Sequence, residues 1–167
     1  MENMILILIL IISIYTDIRS RRIFNIVTVP AVLAGLFYHI GVDGGSGFFF
    51  SSLGFFVGLA LLFIPFAMGG IGAGDVKLLA AIGALKGTSF VFYTFLYGAI
   101  IGGLMALFIL VKRKHFKGFV YRMASSLILL KSEAGSLDIR KDDLAPSLPY
   151  GVAIALGAVC TYFLEGV

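Results

Sequence analysis

The stretch GAGDVKLL, residues 72–79, places one carboxylate, that of Asp75, between two glycines and a strongly apolar run. A carboxylate beside hydrocarbon is costly, so an ionisable residue in such a position is a candidate functional residue. A second carboxylate, Asp17, stands at the end of the first apolar segment of the chain. Two aspartates at the ends of apolar segments suggest an acid/base pair.

The composition is that of a polytopic membrane protein. The chain has 167 residues, of which 60% are hydrophobic, and its mean hydropathy is +1.06. This length allows one helical bundle and no sizeable soluble domain, so we expect a single all-α domain over residues 1–167. The net charge of +4 is attributed to membrane topology and anionic lipid, and no nucleic acid is expected as a partner.

Cysteine and histidine usage argues against metal or disulfide chemistry. Cys160 is the single cysteine, which excludes an internal disulfide, and no CxxC motif is present. His39 and His115 are isolated in the sequence, so we expect neither a metal site nor a cofactor.

Six apolar segments predict six transmembrane helices. With an outside amino terminus, the predicted cytoplasmic pieces are 17–25, 69–77 and 112–149, and they hold 12 of the 13 Lys and Arg residues, leaving Lys86 outside. Both termini are therefore expected outside, with Asp17 and Asp75 on the cytoplasmic side. The segments are roughly Met4–Tyr15, Ile26–Ile40, Phe48–Met68, Val76–Leu85, Phe90–Val111 and Tyr150–Phe163.

The long polar piece 112–149 predicts a further, interfacial helix. Apolar residues recur at helical spacing from Phe116 to Leu130, which indicates an amphipathic helix on the inner leaflet. Residues 132–147 then form a polar loop. The pairs Gly54/Gly58 and Gly98/Gly102 are interpreted as helix-packing contacts.

Two neighbouring carboxylates could perform aspartic-protease chemistry. One can accept a proton from water while the other donates a proton to a carbonyl oxygen, without metal or cofactor. Gly72 and Gly74 would allow unusual backbone angles and close approach of a substrate strand. Taken singly, Asp75 could be only a helix N-cap, Asp17 a solvated juxtamembrane charge, and Lys77 a snorkelling lysine.

Two other functional classes remain open on these residues. In a small transporter or channel, Asp17 and Asp75 would relay protons. In a non-catalytic membrane scaffold, the glycine pairs would hold helices together and both aspartates would be dispensable.

Three motifs, in order, resemble those of the type IV prepilin peptidase family, membrane aspartyl proteases with a GxGD signature. The first, D-x5-I-P-N, reads from Asp17 to Asn25, with Phe24 in place of the proline. The second, GxGD-x-K-[LF], reads over residues 72–78. The third, proline–aromatic–glycine, reads over residues 149–151. Presenilin-like proteases share GxGD but usually carry Tyr-Asp on the preceding helix, whereas Thr16 separates Tyr15 from Asp17.

The resemblance implies an aspartic endopeptidase of the cell membrane that cleaves the leader of prepilin-like or preflagellin precursors on the cytoplasmic side. Such a precursor has a short basic leader followed by a hydrophobic helix. Asp17 and Asp75 would be catalytic. The longer members that also methylate carry paired CxxC motifs, which this chain lacks, so cleavage alone is expected. The residues expected to shape the site are Gly72, Gly74, Lys77, Asn25, Pro149, Tyr150 and Gly151.

Overall fold

Helices account for all regular structure in the part of the chain that the computed structural model describes, residues 2–112 and 150–166, where no strand occurs. The all-α prediction is confirmed over these residues. The predicted interfacial helix over 116–130, the polar loop over 132–147 and Pro149 lie outside them. The helices are α1 (Glu2–Ser20), α2 (Asn25–Asp43), α3 (Gly45–Ala67), α4 (Ala73–Lys112) and α5 (Tyr150–Leu164).

The chain divides into two compact units, residues 1–102 with 149–167, and residues 103–148. The packing described below belongs to the first unit. Of the second unit, the structure describes the last turns of α4, residues 103–112. The single domain expected over 1–167 stays a prediction.

The predicted count of six transmembrane helices is not supported. Helices α1 to α4 are each long and apolar enough to cross a membrane, whereas α5 has only 15 residues. The predicted fourth and fifth segments belong to one element, α4, broken only at Gly87, where φ is 81° and ψ is −177°. Since the helix resumes directly after this glycine, no loop separates the two segments.

The first half of α4 is the buried centre of the first unit. The side chains that are 0% exposed point in every direction around the helix, and they are Leu78, Leu79, Ala80, Ala81, Ile82, Ala84 and Leu85. A helix that is apolar on all sides is expected to be surrounded by other elements. From Ala73 to Lys86 it is only about 21 Å long at 1.5 Å per residue, so protein rather than lipid encloses its length.

Glycines allow the neighbouring helices to approach this central segment. A side chain on Gly54 would collide with the Gly83 carbonyl, and one on Gly83 would collide with that of Gly54. A Cβ at Gly58 would lie 2.7 Å from the Leu79 carbonyl oxygen. Gly98 likewise faces α5, at Gly157. The glycine pairs are therefore helix-packing contacts, as the sequence predicts.

Polar side chains from α2 and α3 satisfy the carbonyl groups at the break in α4. The last carbonyl groups of a helix have no amide partners within that helix. The non-helical backbone at Gly87 places the carbonyl groups just before it in the same position. Ser51 Oγ donates to the Ala84 carbonyl at 2.8 Å. His39 Nε2 lies 2.9 Å from the Leu85 carbonyl oxygen. The break thus stays buried without unpaired carbonyls at these two residues.

A cluster of charged and polar side chains surrounds the same break. Lys86 Nζ donates to Asn3 Oδ1 at 3.1 Å and to Glu2 Oε1 at 3.4 Å. Glu2 Oε2 lies 3.7 Å from His39 Nε2. The cluster joins the start of α1, the end of α2 and the break in α4. His39, which looks isolated in the sequence, therefore has partners on two other helices, α1 and α4.

We expect Ser51→Ala to lower the free energy of unfolding by about 1–3 kcal/mol, because the buried Ala84 carbonyl loses its donor. Unfolding in mixed detergent micelles would measure this difference. Ser52→Ala, one residue along α3 on the partly exposed side, is the matched control and should change stability by less than about 0.5 kcal/mol. Equal effects of the two substitutions would contradict the proposed role of Ser51.

Candidate active site

Asp17 belongs to the buried stripe of α1. The buried residues of this helix are Leu6, Ile9, Leu10, Ser13 and Asp17, which recur at the spacing of one helical face. Asp17 is 5% exposed. The buried face of α1 therefore includes a carboxylate, which lies in the interior at the last turn of the helix.

The turn after Asp17 directs the chain into α2. The Arg21 amide donates to the Asp17 carbonyl at 2.8 Å, and Arg21 has a φ of 50°, which closes α1 in the left-handed conformation typical of helix ends. Phe24 occupies the proline position of the D-x5-I-P-N motif, and it adopts φ −82° and ψ 142°. Because proline favours nearly the same φ, the phenylalanine preserves the extended backbone that leads into α2.

The start of α5 lies against the Asp17 carboxylate. The Val152 amide donates to Asp17 Oδ2 at 3.2 Å. A Cβ at Gly151 would lie 2.8 Å from that oxygen and 2.9 Å from Ile23 Cδ1. A residue larger than glycine would therefore push the helix or the carboxylate away.

Asp75 lies in the first turn of α4 and is half-buried. Its amide donates to the Gly72 carbonyl at 3.1 Å. A Cβ at Gly72 would lie 3.2 Å from Asp75 Oδ2, so the glycine leaves room beside the carboxylate. The two residues form one tight turn that presents the carboxylate at the start of the buried helix.

Ile23 connects the segments that carry the two aspartates. It is 9% exposed, and a Cβ at Gly74 would lie 3.0 Å from Ile23 Cβ. Its Cδ1 atom lies beside Gly151, 2.9 Å from where a Cβ would stand. Sequence reasoning did not select Ile23 or the Val152 amide as site groups, although Ile23 occupies the isoleucine position of the first motif.

The two carboxylates lie within electrostatic reach of one another, and the charge of Asp17 acts on Asp75. Neighbouring carboxylates in a partly buried site cannot both ionise cheaply, and such a pair can share one proton. Such a pair has a base and an acid available at the same time, which is what addition of water to a carbonyl group requires.

The remaining predicted residues divide into two groups. Lys77 Nζ donates to Asn25 Oδ1 at 2.9 Å on the exposed side, where it joins the start of α4 to the start of α2. The Tyr150 ring lies near Gly102 on α4, where a Cβ would be 3.6 Å from it.

Within residues 2–112 and 150–166, no three His, Cys, Asp or Glu side chains are grouped as metal ligands would be.

Comparison with known proteins gives one match. The model of the type IV leader peptidase family matches residues 4–107, which is more than half of the chain and includes both aspartates. No curated protein and no solved structure matches the chain significantly.

We expect Gly151→Ala to lower the free energy of unfolding by about 1–3 kcal/mol, because the added methyl overpacks the contact with Asp17 and Ile23. Gly41→Ala is the matched control, since Gly41 is also helical and nothing lies within 4 Å of an added Cβ there. The control should be stabilised by up to about 1 kcal/mol. Unfolding in micelles compares the two, and a neutral Gly151→Ala would contradict the close contact.

Proposed function

The chain belongs to the type IV leader peptidase family, and we propose that it is a membrane aspartic endopeptidase with Asp17 and Asp75 as its catalytic pair. The observation that carries this proposal is the convergence of three distant motifs on one place. Ile23 packs beside Gly74, the neighbour of Asp75 on α4, and beside Gly151 of α5, which lies against the Asp17 carboxylate of α1. The charge of Asp17 also acts on Asp75.

The arrangement supports hydrolysis for a physical reason. Asp17 is buried within an apolar helix bundle, where a carboxylate without a function would be costly. A packing role would be served equally well by an apolar residue at either aspartate. Two mutually sensitive carboxylates, flanked by glycines that leave room beside them, are instead suited to activating water next to an extended peptide.

The proposed substrate is a prepilin-like precursor with a short basic leader followed by a hydrophobic helix, cut on the cytoplasmic side. The cations that flank the two aspartates in the sequence, Arg19, Arg21, Arg22 and Lys77, support this orientation. The basic residues of that face would hold the enzyme against anionic lipid. The proposed product is the shortened precursor.

The test is a cleavage assay in liposomes with a panel of prepilin-like precursors. The wild-type protein should release a shortened product, and Asp17→Asn and Asp75→Asn should each lower the rate at least about 100-fold, since each removes a proton-transfer group. Asp43→Asn is the matched control, because Asp43 is an exposed carboxylate at the end of α2.

The outcomes separate the functional classes. Cleavage that survives in either aspartate variant would exclude the paired-carboxylate mechanism. Intact precursors together with an Asp17-dependent proton flux would identify a transporter. Intact precursors with no flux would favour a scaffold.

We expect the Lys77–Asn25 hydrogen bond to position the two aspartate segments relative to each other. Lys77→Met and Asn25→Ala should each lower kcat/KM about three- to tenfold, the effect of losing one hydrogen bond. The double variant should be no slower than the slower single variant, because both remove the same interaction. Strictly additive losses in this cycle would show that the two residues act independently.

A further inference from the structure

The two carboxylates have unequal surroundings. The amides of Gly151 and Val152 face Asp17, and the Val152 amide donates to its Oδ2 at 3.2 Å. Within residues 2–112 and 150–166, the amide that faces Asp75 is that of Gly72. Each additional donor favours the ionised form of a carboxylate. By donor number, Asp17 is the better site for the negative charge.

The charged groups around the pair reinforce this difference. Arg21, at the end of α1, exerts a favourable charge on Asp17, whereas the charge that acts on Asp75 is that of Asp17 itself. Among the residues that the structure describes, Lys77 donates to Asn25 and Arg19 donates to the Tyr15 hydroxyl at 2.7 Å. Arg22, in the link to α2, is exposed.

Helix direction also distinguishes the two sites. Val152 is the third residue of α5, so its amide is one of the first four, which have no partner within the helix. Asp17 therefore receives the positive end of a second helix, α5. Asp75 lies in the first turn of its own helix, α4, which favours its charge to a comparable degree. Both carboxylates are withdrawn from water, and the additional amide and the arginine are the described groups that favour the charge on Asp17.

We propose that the first turn of α5 fixes the roles of the pair, so that Asp17 is the base and Asp75 carries the proton. This assignment rests on the proposed peptidase function. Water attacks the scissile carbonyl carbon and gives one proton to Asp17, while Asp75 gives its proton to the carbonyl oxygen. As the C–N bond breaks, Asp17 passes its proton to the amine nitrogen and Asp75 recovers a proton from the gem-diol. The products are a carboxylic acid and an amine, and both aspartates return to their starting states.

The decisive experiment removes the Val152 amide hydrogen and follows the pH dependence of kcat/KM. Replacement of Val152 by its α-hydroxy acid analogue turns the amide into an ester and keeps the side chain. Val152→Pro removes the same hydrogen in the first helical turn, where proline is tolerated. Val152→Ala, which keeps the amide, is the control.

If Asp17 is the base, loss of the donor makes its ionised form harder to reach, and the acidic limb of the profile moves to higher pH by about one to two units. The alkaline limb stays in place. If Asp17 instead carries the proton, the alkaline limb moves upward and the acidic limb does not. Because the removed hydrogen faces Asp17, the limb that moves identifies the ionisation to which Asp17 contributes, and no separate titration of either residue is needed.

Other results also decide the matter. A shift of the alkaline limb, no shift of either limb, or a folded ester variant inactive at every pH would overturn the assignment. In each of these cases wild-type cleavage and its loss in Asp17→Asn would leave the peptidase itself standing. Failure of the wild-type protein to cut any precursor would instead remove the proposed function.

Discussion

Backbone-to-backbone contact at glycine is the constraint on which this structure depends. The central half of α4 can be enclosed only if its neighbours approach closer than side chains normally permit. Gly54, Gly58 and Gly35 supply that approach on α3 and α2. Because van der Waals contact and hydrogen bonding hold helices together in lipid, small residues at these points determine which helices become neighbours. The position of Asp75 at the start of this enclosed helix follows from the same contacts.

The first half of α4 is held at both ends by polar groups of different kinds. At one end, Ser51 and His39 satisfy the carbonyls beside Gly87, and Lys86 joins Glu2. At the other end stand Asp75 and the aspartate of α1. Asp17 and Glu2 are separated along α1 by roughly 22 Å at 1.5 Å per residue. The two aspartates thus lie at the opposite end of this segment from the charged cluster around the break at Gly87.

Sequence alone selected several residues that the structure brings near one another, but its count of transmembrane helices was not supported. The glycines, the aspartates and the Lys77–Asn25 region could be identified because their residue types and spacing are unusual in an apolar chain. The helix count failed at Gly87, since hydropathy registers the polar residues around Lys86 but does not distinguish a loop from a break of one residue. Ile23 and the Val152 amide could not be found in this way. An isoleucine in a membrane protein looks ordinary, and a backbone amide has no sequence signature.

Ile23 has a mechanical consequence for the site. The same residue touches Gly74, next to Asp75, and Gly151, next to Asp17. Its neighbours Arg22 and Phe24 are exposed, so this short link has one buried side chain between two exposed ones. A displacement of the link would press on the glycine beside each carboxylate. Ile23 thus serves both halves of the site as a shared packing partner.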